Sequence, residues 1–164
     1  MAEQPDVAAL VAFYNQINHY GRTNGLQLTV QAPGRVTYTM KVREDHLSSP
    51  GTCHGGVVAG LMDAVLGAAA LTQAFVEQEL VSTVEFKMNF LHPVRLHDEL
   101  VATARVEHHG KSLVVVDGTI ECPARQLTVA RGLGTFNRYP ASKRDFIQAL
   151  TGQLGAEPDA PQTA

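Results

Sequence analysis

The sequence predicts an α+β fold in which one antiparallel sheet packs against a single long helix. Residues 54–75 are almost entirely small or apolar, a composition that favours a buried helix of about five to six turns. Downstream of this helix, hydrophobic and polar residues alternate with a period of two, which is typical of strands. At 164 residues the chain fits one domain with a single core, and no internal repeat is evident.

Both ends of the chain are predicted to be additions to this core. Apolar residues recur at helical spacing from Val7 to Ile17, and this stripe stops before Gly21, so residues 1–22 are expected to form a helical extension. Residues 142–150 resemble a capped short helix that completes a domain spanning residues 1–150. Residues 151–164 are expected to be a flexible tail.

Six strand-like stretches are predicted, separated by turn residues. Two of them precede the long helix, and Ala32-Pro33-Gly34 between them has hairpin-turn chemistry. Residues 44–53 are expected to be a loop that leads into the helix. The stretches should pair into one antiparallel sheet of five or six strands. They are residues 26–31, 35–43, 81–91, 99–109, 112–122 and 126–137.

Two packing expectations follow from the spacing of residues. Gly60 and Gly67 lie seven positions apart on the long helix, so its backbone is expected to approach the sheet there. Strand 81–91 should have two faces, because side chains alternate along a strand. The core face is expected to carry Phe86, Met88 and Phe90, and the other face Thr83, Glu85 and Lys87.

Composition and charge exclude several functional classes. Thirteen Lys and Arg against 16 Asp and Glu give a net charge of −3 with no basic block, which argues against a nucleic-acid partner. The start MAEQPDVAAL lacks the basic residues and apolar run of a signal peptide, so a cytoplasmic location is predicted. The apolar stretch 55–71 falls short of a bilayer span and contains an acid, so no membrane partner is expected. The 7 histidines and 2 cysteines show no metal-type spacing.

Asp63 is the one charged residue in the apolar stretch 55–71. A carboxylate that is buried without a partner costs several kcal/mol, so this residue needs either a cation or a functional reason. Arg105 and Lys87 are candidates for the cation. The functional reading makes Asp63 a catalytic carboxylate.

A combination of motifs favours the functional reading. His54-Gly55-Gly56 stands at a helix start, Asp63 follows nine residues after His54, and a strand ends in Asn89-Phe90-Leu91-His92-Pro93. This combination resembles the hotdog-fold acyl-CoA thioesterases of the phenylacetate-pathway type, the PaaI-like branch of the 4-hydroxybenzoyl-CoA thioesterase superfamily. The likeness covers about residues 26–136 and is most specific in HGGVVAGLMDAVLGAAA.

The resemblance implies a hotdog fold, a curved antiparallel sheet of five to six strands wrapped around one long central helix. It also implies a homodimer with a continuous sheet, which often assembles into a homotetramer. The expected reaction is hydrolysis of an acyl- or aryl-CoA thioester to a free acid and coenzyme A, without a metal or a separate cofactor.

The resemblance assigns catalytic roles to four residues. Asp63 would be the general base or the nucleophile, and the amide of Gly55 would polarise the thioester carbonyl. Free amides at a helix start suit this role because they lie at the positive end of the helix dipole. His54 would shape the same turn, and Thr83 would help to hold the water or the carboxylate.

Further positions are implied to contact the substrate. Gly56 has no side chain to cover the backbone, so a substrate can approach. Ser48 stands where relatives commonly have Asn, six residues before the His, and its hydroxyl has a shorter reach. The turn Gly110-Lys111-Ser112 matches a region that often contacts the coenzyme in relatives. Lys111 would pair with a phosphate, unless it is an ordinary solvated lysine of a hairpin.

Helix geometry bears on assembly. Nine residues at about 100° each place Asp63 on the opposite side of the helix from His54 and about 13 Å along it. One helix can therefore hardly bring both ends of the motif to a single carbonyl. In the family the site lies at a dimer interface, where one chain supplies the oxyanion donor and the other the acid.

Other functions stay open at this point. A non-catalytic acyl-CoA or small-ligand binding protein is favoured by Ser48 and opposed by the retention of Asp63 with Thr83. A hotdog hydratase or dehydratase fits the spacing from His54 to Asp63 less well. Cys53 beside His54 suggests a Cys–His nucleophile, but adjacent side chains do not normally turn toward each other and no orienting third group is identifiable.

Overall fold

Six antiparallel strands and one long helix form the core of residues 7–141, the part of the chain that the computed structural model describes. The sheet order is β1-β2-β6-β7-β8-β5, and a separate pair is formed by β3 and β4. This confirms the predicted α+β class. The helices are α1 (Val7–Ile17), α2 (His19–Asn24) and α3 (Gly55–Phe75), and the strands are β1 (Gln27–Ala32), β2 (Arg35–Lys41), β3 (Leu47–Ser49), β4 (Thr52–Cys53), β5 (Glu79–Phe90), β6 (Glu99–His109), β7 (Leu113–Cys122) and β8 (Leu127–Pro140).

Helix α3 is the central element of the core. It packs against β2, β5, β6, β7 and β8. At 21 residues it is long and apolar enough to cross a membrane by length and composition alone, longer than the predicted stretch 55–71. Many of its side chains are fully buried in the hydrophobic core, which is the arrangement of a core helix. These include Leu61, Met62, Val65, Leu66, Ala69 and Ala70.

Close contact between α3 and the sheet depends on glycines in the sheet. A Cβ on Gly118 would lie 2.8 Å from a methyl carbon of Leu66 and 3.0 Å from the sulfur of Met62. On the neighbouring strand β8, Gly132 faces Met62 and Gly134 faces Leu66. The helix can therefore approach the sheet closely, because three strand positions have no side chain.

The expectation that Gly60 and Gly67 mark this contact is wrong for Gly60. A Cβ on Gly60 would lie 1.8 Å from the hydroxyl oxygen of Tyr20, a residue of α2, so Gly60 makes room for a helix and not for the sheet. A Cβ on Gly67 would make only an ordinary contact, at 3.6 Å from the ring of Phe136. Which neighbour a glycine of α3 makes room for depends on tertiary contacts, and the spacing of residues within α3 does not reveal these contacts.

The N-terminal extension consists of two helices within its described part. Helix α1 ends at Ile17, and Asn18 caps α2 by accepting a hydrogen bond from the amide of Gly21 at 2.8 Å. The predicted helix from Val7 to Ile17 is confirmed, and α2, which runs through Gly21 to Asn24, is a second helix that the apolar stripe does not reveal. Gly25 ends α2 with a φ of 68° in the left-handed region, which glycine adopts without strain.

The predicted loop before α3 contains regular structure. Glu44–His46 forms one turn of 3-10 helix, and β3 pairs with β4 in an antiparallel bridge. These elements are too short to produce a periodic pattern in the sequence. The other predicted strands agree with the observed ones to within a few residues.

A bulge in β5 changes which residues face the helix. Thr83 pairs with Phe136 and Glu85 pairs with Thr135, so Val84 is an extra residue between them. The bulge reverses the alternation, and Thr83 lies on the same face as Phe86 and not with Glu85 and Lys87. The expected grouping of Thr83 with those two charged residues is wrong for this reason.

The predicted C-terminal helix at residues 142–150 and the tail at residues 151–164 lie outside the described residues, as do residues 1–6. The expected division into a domain of residues 1–150 and a tail therefore stays a prediction.

A valine at position 118 should destabilise the protein, because its side chain would occupy the space of Leu66 and Met62. We expect Gly118→Val to lower the free energy of unfolding by about 1–3 kcal/mol, the usual cost of overpacking a core. Urea denaturation measures this. Thr103→Val is the matched control, since Thr103 is exposed on β6. Equal midpoints for the two variants would show that the helix does not depend on the glycine.

Candidate active site

The start of α3 leaves one backbone amide free. His54 is the N-cap, and its Nδ1 accepts a hydrogen bond from the amide of Gly56 at 2.8 Å. The amide of Val57 donates to the carbonyl of His54 at 3.0 Å. Within residues 7–141 the amide of Gly55 has no hydrogen-bond partner, and Gly55 is exposed. A free N–H at the positive end of a helix can stabilise an oxyanion.

The three residues of the His-Gly-Gly motif have distinct structural roles. The imidazole of His54 fills the space where Gly56 lacks a side chain, since a Cβ there would lie 2.8 Å from Nδ1. Nδ1 is the acceptor in this hydrogen bond, so this ring nitrogen contacts the first turn of α3 without donating a proton to it. Its observed contact is therefore that of a cap. Gly56 was predicted to contact the substrate, and its amide is already taken by His54.

The segment before His54 is held by buried hydrogen bonds. The amide of His54 donates to the carbonyl of His46 at 2.7 Å, and the amide of Cys53 donates to the carbonyl of Val94 at 2.9 Å. Leu47 pairs with Cys53, and the exposed Ser48 lies in the irregular part of this pair. Ser48 is thus close in the fold to the start of α3, as its predicted role requires.

An ion pair that the sequence did not suggest supports the same segment. Arg125 Nη1 donates to Asp98 Oδ2 at 2.7 Å and to the carbonyl of Pro93 at 3.0 Å. Asp98 also accepts the amide of Arg95 at 2.8 Å. These bonds fix the turn that holds Cys53 through Val94. Because residues 93–98 and Arg125 are far apart in the sequence, no local signal reveals the pair.

A cavity of about 300 Å³ opens beside the free amide. Its walls include Gly55, Val58 and the ring of Phe90, whose side chain is exposed. His92 also lines it, with Nδ1 2.8 Å from the carbonyl of Thr128. Slightly larger depressions of about 350 and 330 Å³ lie elsewhere, on the outward-facing polar residues of β2 and β6. The cavity at Gly55 adjoins an unpaired donor.

Asp63 is half-buried on α3 and has a hydroxyl partner. Thr83 Oγ1 donates to Asp63 Oδ1 at 3.2 Å, across from α3 to β5. Within the described part of the chain, Asp63 forms no ion pair. Arg105 pairs with Glu107 at 2.8 Å instead, and Lys87 lies on the outer face of β5, so neither is the cation suggested for Asp63.

The carboxylate and the free amide of one chain do not meet. Asp63 lies eight residues after Gly55 on a continuous helix, which corresponds to about 12 Å along its axis. An Asp side chain spans only a small part of that distance. The bulge at Val84 places Thr83 on the face of β5 that meets Asp63.

The turn predicted to contact the coenzyme lies at the far end of α3. Arg138 anchors it through the carbonyl of Gly110 at 2.5 Å, and the Arg138 amide donates to the carbonyl of Ser112 at 2.8 Å. The guanidinium also pairs with Glu77 and Glu79, just beyond the end of α3. Lys111 is exposed. A helix of 21 residues is about 31 Å long, so this turn and Gly55 of one chain lie far apart.

Two further chemistries have no support in the site. Cys53 Sγ lies 3.6 Å from the carbonyl of His54 and makes no bond to the imidazole, and burial raises the pKa of the thiol. A Cys–His nucleophile therefore has neither the contact nor the thiolate that it needs. Among residues 7–141, no group of three or more His, Cys, Asp or Glu side chains could hold a metal ion.

Comparison with known proteins identifies the family. Residues 50–129 match the family model described as Thioesterase superfamily. Acyl-coenzyme A thioesterase 13 of Homo sapiens is 31% identical over 110 residues, which cover 67% of this chain and 77% of the human protein. The chain belongs to the thioesterase superfamily. Acyl-coenzyme A thioesterase PaaI of Escherichia coli (strain K12) is 32% identical over 114 residues, covering 70% of this superfamily member and 78% of PaaI.

A solved structure of a superfamily relative agrees in fold. The PaaI protein of the E. coli phenylacetic acid degradation operon superimposes with a TM-score of 0.74 at 26% identity, over 81% of this chain and 93% of that chain. The resemblance of the sequence to PaaI-like thioesterases and the predicted hotdog fold are thereby confirmed.

The buried His46 should make the stability of this superfamily member depend on pH. Its Nδ1 accepts the amide of Arg43 at 3.2 Å, and burial, with the nearby charge of Arg43, lowers its pKa below the ordinary 6.5. Between the lowered pKa and 6.5 the unfolded chain binds a proton that the folded chain does not, so stability falls as the pH falls through this window. Urea denaturation at several pH values measures the slope.

His46→Asn should flatten this slope, because the Asn oxygen can still accept the Arg43 amide but does not titrate. His108→Asn, on the exposed end of β6, is the control and should leave the slope as it is. The same pH dependence in wild type and His46→Asn would contradict the role of His46.

Proposed function

We propose that this superfamily member is an acyl-CoA thioesterase that hydrolyses an acyl- or aryl-CoA thioester to a free acid and coenzyme A. The observation that carries the proposal is the state of Asp63, a half-buried carboxylate in an apolar helix, which has a threonine hydroxyl as its partner and no ion pair within residues 7–141. The relatives named as acyl-coenzyme A thioesterases support the substrate class.

Gly55 is the proposed oxyanion donor. Its amide is free and exposed, and the dipole of α3 adds positive potential at the same point. A thioester carbonyl in the adjoining cavity would accept this hydrogen bond, which strengthens as the oxygen gains negative charge. His54 supports the donor by capping α3, and this capping role does not require its imidazole to transfer a proton.

Asp63 can act either as a general base or as a nucleophile. As a general base it takes a proton from water while the water oxygen bonds to the carbonyl carbon, and collapse of the tetrahedral intermediate breaks the C–S bond. The departing thiolate then receives the proton as coenzyme A. As a nucleophile, the carboxylate itself bonds to the carbonyl carbon and expels the thiolate, and water then hydrolyses the mixed anhydride. Thr83 holds the carboxylate in either route.

A second copy of the chain would complete the site. Strand β5 forms the edge of the sheet and pairs on one side only, with β8. An open edge of 12 residues is a template for pairing with another strand. Exposed Val84, Phe90 and Leu91 lie on or directly after it. Pairing of two β5 strands would create one continuous sheet and bring Gly55 of each copy toward Asp63 of the other.

The remaining assignments follow from this arrangement. Ser48, beside the start of α3, would contact the thioester, and Gly56 would keep the backbone accessible. The turn of Gly110, Lys111 and Ser112 would contact the coenzyme A portion of a substrate bound by the other copy, because it lies too far from Gly55 of its own chain. The proposed assembly is a homodimer that associates into a homotetramer, and it uses no metal or separate cofactor.

A second candidate function is supported by one residue. Ser48 occupies the position where relatives commonly have Asn, so a contact to the thioester is weaker, and a protein that binds acyl-CoA without hydrolysing it would tolerate this. The pairing of Thr83 with Asp63 favours the enzyme. Tight binding of acyl-CoA with no release of thiol would select the binding protein.

Removing the carboxylate should abolish hydrolysis. We expect Asp63→Asn and Asp63→Ala to lower kcat at least about 100-fold, because a positioned general base contributes about 10²–10⁴. Thiol release from short-chain, medium-chain and aromatic acyl-CoAs measures this, before and after dialysis against EDTA, which should change nothing. Asp117→Asn, on the opposite face of the sheet, is the matched control. Unchanged turnover in both Asp63 variants would remove Asp63 from the mechanism.

The N–H of Gly55 can be removed by substitution with proline, which introduces no charged side chain. Gly55 is the first residue of α3, where proline fits, and His54 has the extended backbone that precedes proline (φ −64°, ψ 133°). We expect Gly55→Pro to lower kcat by about 10²–10³, the usual effect of losing one oxyanion donor. Gly55→Ala keeps the N–H and should lose much less.

Mixing the two inactive variants tests the shared site. If each site takes Gly55 from one copy and Asp63 from the other, a mixed dimer of Gly55→Pro and Asp63→Ala has one intact site. After unfolding and refolding together, about a quarter of the wild-type activity should return, since half the dimers are mixed and each has one of two sites intact. No recovery, with mixed dimers demonstrated by mass, would place the whole site within one chain.

A further inference from the structure

The N-terminal helices contact α3 on the side of the proposed catalytic acid. The hydroxyl of Tyr20 lies directly on the backbone of Gly60, where a Cβ would be 1.8 Å from the phenolic oxygen. Gly60 is three residues before Asp63, so the two positions are neighbours on one face of α3. No other residue type at position 60 leaves room for this hydroxyl.

Tyr14 and Tyr20 lie close enough to Asp63 to be influenced by its charge. Burial raises the pKa of Tyr14 and of Tyr20, and the negative charge of Asp63 raises both further. Tyr14 belongs to α1 and Tyr20 to α2, so both helices of the extension present a phenol to the same carboxylate. The side chain of Tyr20 is still 47% exposed, so the ring is not enclosed by its own chain and can contact a bound molecule.

The position of Tyr20 is fixed by bonds outside α3. Asn18 caps α2, and the amide of Leu26 donates to the carbonyl of Gly21 at 2.8 Å. Arg43 Nη2 donates to the carbonyl of Thr23 at 2.6 Å, which ties α2 to the end of β2. The ring is therefore carried by an anchored helix. A side chain that determines substrate specificity needs such a rigid support.

We propose that Tyr20 is a specificity-determining residue that closes the acyl end of the cleft at Asp63. This inference rests on the proposed function, because it requires an acyl group attached to the carbon that Asp63 serves. An acyl chain that extends past Asp63 along α3 meets the ring of Tyr20 above Gly60. The ring leaves space for a short acyl group and blocks a long one.

Two variants open this wall by different routes. Tyr20→Ala removes the ring, and Gly60→Ala places a methyl group where the hydroxyl lies and so displaces the ring from α3. Tyr20→Phe keeps the ring and loses only the hydroxyl. Leu113→Ala, at an exposed position on β7, is the control for a general effect of removing an apolar side chain.

The experiment measures kcat/KM for straight-chain substrates from acetyl-CoA to dodecanoyl-CoA, together with urea denaturation of each variant. We expect Tyr20→Ala and Gly60→Ala to raise the ratio of long-chain to short-chain kcat/KM at least about tenfold, since one misfitting methylene changes this quantity by about 10–200-fold. Tyr20→Phe and Leu113→Ala should keep the wild-type ratio.

Each outcome is informative. A wild type that hydrolyses none of the substrates overturns the proposed function and this inference with it. An active wild type whose chain-length ratio is the same in Tyr20→Ala and in Gly60→Ala, with both variants folded, overturns the inference alone. An equal loss of activity on all chain lengths also overturns it, because a wall at the acyl end discriminates between substrates.

Discussion

The close packing of α3 on the sheet is the contact on which the rest of the structure depends. Met62 and Leu66 occupy the space above Gly118, Gly132 and Gly134, where any side chain on the sheet would collide with them. With Met62 turned toward these strands, the next residue is rotated by about 100° around the helix. That rotation turns Asp63 toward β5, where Thr83 meets it.

The same packing separates the two halves of the proposed chemistry. Because α3 is one continuous helix from Gly55 to Phe75, the free amide at its start and the carboxylate in its middle stay a fixed distance apart. A single chain therefore has the proposed oxyanion donor, Gly55, at one point and the carboxylate of Asp63 at another, too far apart to act on one carbonyl. The open edge of β5 offers a physical route by which two copies resolve this separation.

The sequence predicted what is periodic and missed what depends on one extra or one distant residue. The alternation of residues identified the long strands, and the apolar stretch identified α3. The bulge at Val84 has no signature, because valine is as suitable in a regular strand as in a bulge. The residue pattern alone indicates only cations as partners of Asp63, whereas the family resemblance points to Thr83, whose hydroxyl donates to the carboxylate.

Parts of the site could be predicted only with the family motif. His54, Gly55 and Gly56 form a recognisable group, and the structure explains their spacing through the cap on Gly56. Two contacts join segments that are distant in the sequence. One is the ion pair between Arg125 and Asp98, and the other is the contact of Tyr20 with Gly60. Such contacts arise from the tertiary arrangement, which local composition does not encode.

The exposed Gly55 amide has a consequence for the end of the catalytic cycle. A donor at the positive end of a helix attracts small anions, and in the proposed mechanism thioester hydrolysis would leave a carboxylate where Gly55 held the carbonyl. The released acid is thus a ligand for the same N–H. In the proposed mechanism, turnover would then depend on how fast this anion exchanges with water, and accumulated product would compete with the substrate.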